Sequence, residues 1–234
     1  MLSTLIGALV GAGVGGLFMS RSSRQLRKPA DRAGRAVLER MNVSHGPVTQ
    51  WGLSHVTVGD DITILDVGCG GGRTIARLAG LAQRGKVFGI DYSAESVAMA
   101  REVNAGAIAE GRVQIEQATV SSLPFPDATF DLVTAVETHY YWPDLPHDVR
   151  EVLRVLKPGG QFAIIAETYR GRSRDWLYRP TMTLLLKAAY LTPEEHRQLL
   201  VDAGYEDVQL FVEKQQGWIC TTGRRCRTPT ATVI

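Results

Sequence analysis

Ile64-Leu65-Asp66-Val67-Gly68-Cys69-Gly70-Gly71-Gly72-Arg73-Thr74 joins a short β-branched apolar run to a segment whose apolar residues recur at helical spacing, residues 74–81. Residues 62–66 read as a buried strand, and the glycines at 68, 70 and 72 form the turn that leaves it. Glycine lets a chain turn sharply and lets a ligand approach the backbone with no Cβ in the way. The helix that follows offers unpaired N–H groups at its start. Strand, glycine turn and helix in this order predict a ligand cradle at the end of the first strand.

Outward from that turn, strand-like and helix-like segments alternate. Strands are predicted at 87–90, 113–116, 130–136 and 162–166. Helices are predicted from the capping Ser93 to 108, and over 145–156, where Pro158-Gly159-Gly160 stops the run. Such alternation implies right-handed βαβ units and a parallel sheet. Later, Thr192-Pro193-Glu194-Glu195 carries an N-cap, a proline at the first helical position and acids in the first turn, so a helix should run to Ala203 and end at Gly204. Residues 208–212 and 218–222 then read as strands joined by only a few residues, too few for a parallel crossover, which makes them an antiparallel hairpin. The predicted fold is α/β: a doubly wound, mostly parallel seven-stranded sheet with an antiparallel C-terminal hairpin at one edge.

Composition narrows the function. The 234 residues are 44% hydrophobic and 21% charged, enough for a full core without disulfide or metal staples. Cys69, Cys220 and Cys226 form no CxxC pair and have no nearby His at ligand spacing, so neither a disulfide scaffold nor a metal centre is expected. The net charge of +2 is uneven: residues 1–40 carry +5, residues after Glu213 carry +4, and the body between carries −7. An acidic body argues against a nucleic-acid partner, whose binding depends on neutralising phosphates.

Residues 1–20 carry no charged side chain, and 5–19 are apolar with five glycines, followed at once by the basic stretch 21–28. That order is the reverse of a secretory signal. The segment is a candidate membrane anchor, and Gly7, Gly11 and Gly15 would let two such helices associate closely. A helix packed on the domain or a plain tail are the competing readings. Basic residues after the apolar run would leave the domain on the cytoplasmic side. The expected organisation is an appendage over 1–40, a domain over 41–225 with an insertion at 169–191, and a tail over 226–234.

Asp91 stands at the end of the second strand, where a carboxylate accepts the ribose hydroxyls of an adenosine-containing cofactor. The dinucleotide fingerprint G-x-G-x-x-G fails: counted from Gly68 its last place is Arg73, and from Gly70 it is Ile75. Asp66 beside the first glycine suits a cation better than a pyrophosphate. An NAD-dependent oxidoreductase is therefore disfavoured.

With Leu65-Asp-Val-Gly-Cys-Gly-Gly-Gly72, Gly89-Ile-Asp91-Tyr-Ser93, Leu123-Pro-Phe125 and Glu151-Val-Leu-Arg-Val-Leu-Lys-Pro-Gly-Gly160 in order, the chain resembles the class I S-adenosylmethionine-dependent methyltransferases of the small-molecule, methyltransferase-11-like type. The resemblance covers roughly residues 60–222. It implies that Asp66 and the backbone of Gly68, Cys69, Gly70 and Gly72 hold the methionine end of S-adenosylmethionine and that Asp91 holds the ribose. Tyr92, Thr119, Val120 and Glu137 complete the implied cofactor shell, although Thr119 stands where many relatives place an Asp against the adenine.

In relatives, the segment after the fourth strand, here Glu137-Thr-His-Tyr-Tyr-Trp-Pro-Asp144, flanks the sulfonium. Glu137, His139 and Tyr140 are therefore the catalytic candidates, and His139, Tyr140 and Tyr169 the candidate acceptor contacts. Structural packing is the competing reading for His139 and the aromatics, and the favoured one for Trp142. The insertion 169–191 is expected as a lid; its Arg170, Arg172, Arg174 and Arg179 either bind an acidic acceptor or are simply solvated. A helix over 41–55 should close the cofactor site, with His45 and Trp51 as second-rank candidates. The expected activity is methyl transfer from S-adenosylmethionine to a small or lipid-like acceptor by direct displacement. The alternative is a membrane-tethered S-adenosylmethionine-binding regulatory module without catalysis.

Overall fold

The computed structural model describes residues 25–173 and 175–227. Strands β1 (Thr63–Val67), β2 (Lys86–Asp91), β3 (Val113–Gln117), β4 (Phe130–Val136) and β5 (Leu156–Ala166) run parallel, and β6 (Glu206–Glu213) and β7 (Trp218–Arg224) close one edge antiparallel. The sheet order is β3-β2-β1-β4-β5-β7-β6. The chain thus builds outward from β1 in one direction, returns, and builds outward from β4 in the other. Such a reversal leaves a crevice beyond the carboxyl ends of β1 and β4.

Strand alternation sorts the apolar residues into two layers. Leu65, Phe130, Val133, Phe162 and Ile164 face α6 (Leu145–Val155) and α8 (Pro193–Ala203). Ile64, Val87, Leu132 and Ile165 face the opposite way, with α2 (Gly46–Leu53), α3 (Arg73–Leu81) and α4 (Ala94–Val103). Phe130 and Phe162 are fully buried, and each such side chain contributes about 1.5–3 kcal/mol of transfer free energy. Phe88, Phe125 and Phe130 meet edge to face at 4.9–5.7 Å.

The helix predicted over 93–108 breaks at Asn104, between α4 and the short α5 (Ala105–Ala109). The Asn104 amide donates to the carbonyls of Gly72 and Ala100, so the break fastens α4 to the glycine turn. The helix expected over 41–55 is two helices, α1 (Asp31–Ser44) and α2, with Pro47 in the first turn of the second. α1 crosses the boundary expected at residue 40, and its Leu38 is 2% exposed. The N-terminal appendage therefore joins the domain before that boundary. The candidate anchor over 1–20 lies outside the described residues, as do 228–234 of the tail. Among the described residues no helix is long and apolar enough to cross a membrane.

The C-terminal half follows its sequence signals closely. Thr192 and Glu195 form a reciprocal capping box on α8, and Gly204 ends it at φ 96°. β5 begins earlier than predicted: the Arg225 guanidinium donates to the carbonyls of Leu153, Arg154 and Leu156, and Gly160 accepts from the Arg225 backbone, which draws the Pro-Gly-Gly stretch into the sheet. The insertion forms α7 (Asp175–Pro180) and a π-helical turn, Thr181–Leu185.

α8 also buries His196 against His139, which lies on the 3-10 turn His139–Tyr141. Their ring centroids are 5.0 Å apart, and neither ring has a hydrogen-bond partner among the described residues. Burial lowers both pKa values, that of His196 to about 4. The unfolded chain takes up a proton at His196 near pH 6.5 that the folded chain refuses until about 4, so this residue costs stability progressively as pH falls through that window. In thermal or urea unfolding across pH 4–6.5, His196→Leu should flatten the acid loss by about 1.4 kcal/mol per pH unit relative to the parent. An unchanged slope would show that the ring is solvated.

Candidate active site

The crevice at the β1/β4 reversal is a cavity of about 810 Å³. Its floor is the glycine turn after β1, held down by two bonds from the N–H groups of Gly68 and Cys69 to the Ile90 carbonyl, at 2.8 and 2.9 Å. Gly68 has φ 72°, and a Cβ there would lie 2.0 Å from Thr138 Oγ1, so glycine at 68 lets the segment after β4 close onto the turn. Gly70 opens toward the cavity, where an added Cβ would meet only Leu38 Cδ2 at 3.9 Å. The Asp91 carboxylate accepts from Gly70 N at 3.0 Å and from Ser93 N at 2.8 Å, tying the turn to the start of α4.

Sheet register places the second carboxylate. β1 and β4 pair Asp66 with Thr134, and the Thr134 hydroxyl donates to Asp66 Oδ1 at 2.7 Å. Burial pushes the Asp66 carboxyl up to about 7 and raises that of Asp91 as well. Both line the cavity, and among the described residues neither has an ion-pair partner. Two carboxylates of this kind beside an open glycine cradle fit a ligand that brings positive charge and hydroxyl donors, as S-adenosylmethionine does.

Of the cofactor residues expected from sequence, Asp66, Gly68, Cys69, Gly70, Asp91, Tyr92, Thr119, Val120 and Glu137 all line the cavity. Gly72 does not. It precedes α3 at φ 82°, where a Cβ would meet Ala100 Cα at 2.7 Å, so its part is helix packing. The Thr119 hydroxyl accepts from Ser121 N at 3.1 Å and is thus committed to its own turn. The Cys69 thiol is buried, and burial holds it well above its ordinary pKa, which disfavours the thiolate form. The Tyr92 hydroxyl donates to the Arg27 carbonyl, joining the cavity rim to the chain before α1.

The acceptor residues need correcting. His139, Tyr140 and Tyr169 do not line the cavity. Glu137 has φ 58°, and this reversal starts the 3-10 turn that carries His139 and Tyr140 inward while Tyr141 and Trp142 come to the cavity wall. Tyr140 and Tyr169 pack instead with Met182, Leu186 and Tyr190. Trp142 stacks on Phe162 at 6.2 Å, in line with a packing role, yet its other side faces the cavity. Of the three catalytic candidates only Glu137 reaches the cavity; burial and the Glu167 charge push its carboxyl well above the ordinary range.

The insertion does not act as a lid over this cavity: among the described residues, none from 169–191 lines it. It covers the Tyr140 cluster, with Ala189 N donating to the Tyr140 carbonyl at 2.8 Å. Arg170 pairs with Glu195, Arg172 donates to the Glu167 carbonyl, and Arg174 lies outside the described residues. The roof comes from α1 and α2, through Leu38, Met41, Asn42, His45 and Thr49. Trp51 points away and meets His55 and Trp218. Sequence reading missed Leu38, Asn42, Tyr141 and the inner side of Trp142. Asn42 carried no local signal, because its partner, the Gly71 carbonyl, is remote in sequence.

The methyltransferase-domain family matches residues 65–164. The 27-O-demethylrifamycin SV methyltransferase of Amycolatopsis mediterranei is 39% identical over 113 residues, 48% of this chain and 40% of that protein. The chain spans about half or less of the length of most curated relatives it matches. Among solved structures, a chain from the complex of the Haloferax volcanii Trm112 methyltransferase activator with a methyltransferase superposes with TM-score 0.74 at 22% identity, covering 84% of this chain and 96% of that one. A SAM-dependent methyltransferase from Aquifex aeolicus gives 0.64 at 21%, covering 81% and 97%. These two likenesses speak for the fold, and the ordered motifs and the sequence match speak for the family. Residues 65–164 thus carry the match to the methyltransferase-domain family, and the chain is similar to S-adenosylmethionine-dependent methyltransferases.

Proposed function

We propose that this protein transfers a methyl group from S-adenosylmethionine to a small acceptor by direct displacement. The observation that carries the reading is the pair of buried carboxylates, Asp66 and Asp91, on either side of the glycine cradle. When bound, the cofactor supplies a methyl group made electrophilic by its sulfonium. Asp91 would accept the ribose hydroxyls while keeping its bonds to Gly70 and Ser93, and Asp66 would hold the ammonium of the methionine end. The first turn of α3 offers N–H groups to the carboxylate of that end. Tyr141 and Trp142 line the cavity as aromatic walls that would favour positive charge at a ring face and exclude water by their bulk. Displacement needs alignment of the acceptor more than a strong acid or base, and the crevice at the reversal between β1 and β4 has room for cofactor and acceptor side by side.

A small acceptor agrees with the 27-O-demethylrifamycin SV methyltransferase among the relatives. A lipid-like acceptor is compatible with Leu38, Met41 and Trp142 in the lining. Incubation with methyl-labelled S-adenosylmethionine and a metabolite extract tests the activity directly; a folded protein that binds the cofactor and labels nothing is a binding module instead.

Three outcomes follow from the assignments. Asp91→Ala should weaken S-adenosylmethionine binding by about 1.5–3 kcal/mol in calorimetry, the scale of charge-assisted hydrogen bonds, and an unchanged affinity in a folded variant would sink the ribose assignment. Because the Asp66 carboxyl sits near 7, cofactor affinity should fall as pH drops below about 7, and Asp66→Asn should remove that dependence. Tyr141→Ala should lower turnover at least tenfold with little change in cofactor affinity, whereas His139→Leu should act only through stability. Equal losses in cofactor binding and turnover for Tyr141→Ala would place that ring in the cofactor shell.

A further inference from the structure

β4 and β5 are neighbours, and the chain leaving each begins with a glutamate: Glu137 one residue beyond Val136, Glu167 one residue beyond Ala166. The Glu167 N–H donates to Glu137 Oε1, which fixes the two segments side by side. From the opposite direction, the junction between α1 and α2 lays His45 over the same strand ends. One side-chain ligand atom from each of His45, Glu137 and Glu167 lies within 4.8 Å of the others. His45 and Glu137 line the cavity, and Glu167 is 7% exposed just behind them.

Two of the three groups, Glu137 and His45, have side-chain atoms that no described residue engages. The hydrogen bonds that Glu137 makes with described residues all fall on one oxygen, Oε1, from Glu167 N and from the Tyr140 hydroxyl at 3.5 Å. The His45 imidazole makes no hydrogen bond or ion pair with a described residue, although it stands in the cavity wall beside two carboxylates. His45 N and O both bond within the helix junction, which holds its backbone in place over the strand ends. An imidazole nitrogen and two carboxylate oxygens, supplied by three separate elements, form a donor set suited to divalent ions of the manganese, iron or zinc type. Protein lies on one side of the set and the open cavity on the other, so an ion there would keep coordination positions facing the cavity.

We propose that His45, Glu137 and Glu167 form a divalent-cation site at the acceptor end of the cleft, and that the acceptor presents an oxygen to the ion. This deepens the methyl-transfer reading and rests on it for the identity of the acceptor end, but the ion site itself stands on the three side chains. The order of the strands gives the division of labour: β1 and β2 carry Asp66 and Asp91 on the cofactor side of the reversal, and β4 and β5 carry the two glutamates on the other. An ion held there fixes a hydroxyl or carbonyl of the acceptor and lowers the pKa of a hydroxyl bound to it. Local sequence spacing could not show the set, because its members come from three distant stretches of the chain.

The test uses the full chain, stripped with chelator and titrated with manganese(II), free ion being followed by electron paramagnetic resonance and heat by calorimetry. One saturable ion per chain is expected. Glu167→Gln and His45→Ala should each weaken it at least tenfold, while Glu110→Gln, on the exposed Arg112 pair, should leave it unchanged. Circular dichroism checks that the variants fold, and titration of the parent protein tests the site even where a variant fails to fold. Absence of a stoichiometric site in the parent, or a site that survives both substitutions in folded protein, overturns the proposal. S-adenosylmethionine binding is measured on the same samples. Cofactor binding without manganese overturns the ion site alone, manganese binding without cofactor overturns the methyl-transfer reading, and loss of both overturns both.

Discussion

The Asp91 carboxylate takes one N–H from the glycine turn after β1 and another from Ser93 at the head of α4, while the Ile90 carbonyl beside it takes two more from Gly68 and Cys69. Four bonds thus converge on the last two residues of β2. They hold the turn in one shape with its backbone facing the cavity. The cradle is built before any ligand arrives, which lowers the ordering cost of binding. The same carboxylate is buried, and burial penalises its charged form. The site therefore stores an electrostatic demand that a hydroxyl-bearing, cationic ligand relieves.

That demand runs the length of the crevice. Asp66 and Asp91 line one side of the strand-order reversal, and Glu137 and Glu167 stand on the other. The acidic residues of the body are thus concentrated, in part, where strand ends converge. The rest of the fold supports this arrangement: Asn104 fastens α4 to the glycine turn, the capping box starts α8, and the Arg225 guanidinium seals the end of α6.

Elements were legible wherever a local rule decided them. β4 coincides with its predicted limits, and α8 begins and ends on its capping residues as read. The misreadings have a common origin. Asn104 ends a helix early because its side chain finds the Gly72 carbonyl, a contact that helical periodicity along the chain does not encode. His139 and Tyr140 are adjacent in sequence to a cavity residue, yet the positive φ at Glu137 and the 3-10 turn after it carry them to the other side of the layer. The insertion lies over Tyr140 and not over the cleft, since its apolar residues, Met182 and Leu186, find their partners in that aromatic cluster.

The amino-acid sequence by itself determined the class of fold and the glycine-turn side of the cavity. The glycine turn, the carboxylate at the next strand end and the hairpin connection are local patterns whose geometry is set within a few residues by sterics and by strand alternation. Tertiary structure alone decided the other half: the register that brings Thr134 to Asp66, the roof made by α1 and α2, the turning of Tyr141 and Trp142 toward the cavity, and the meeting of His45, Glu137 and Glu167. All but the turning of Tyr141 and Trp142, which follows from the local reversal at Glu137, are contacts between segments far apart in the chain. Such contacts depend on how whole elements pack, because the free energy that selects them comes from burying surfaces which no short stretch of sequence contains.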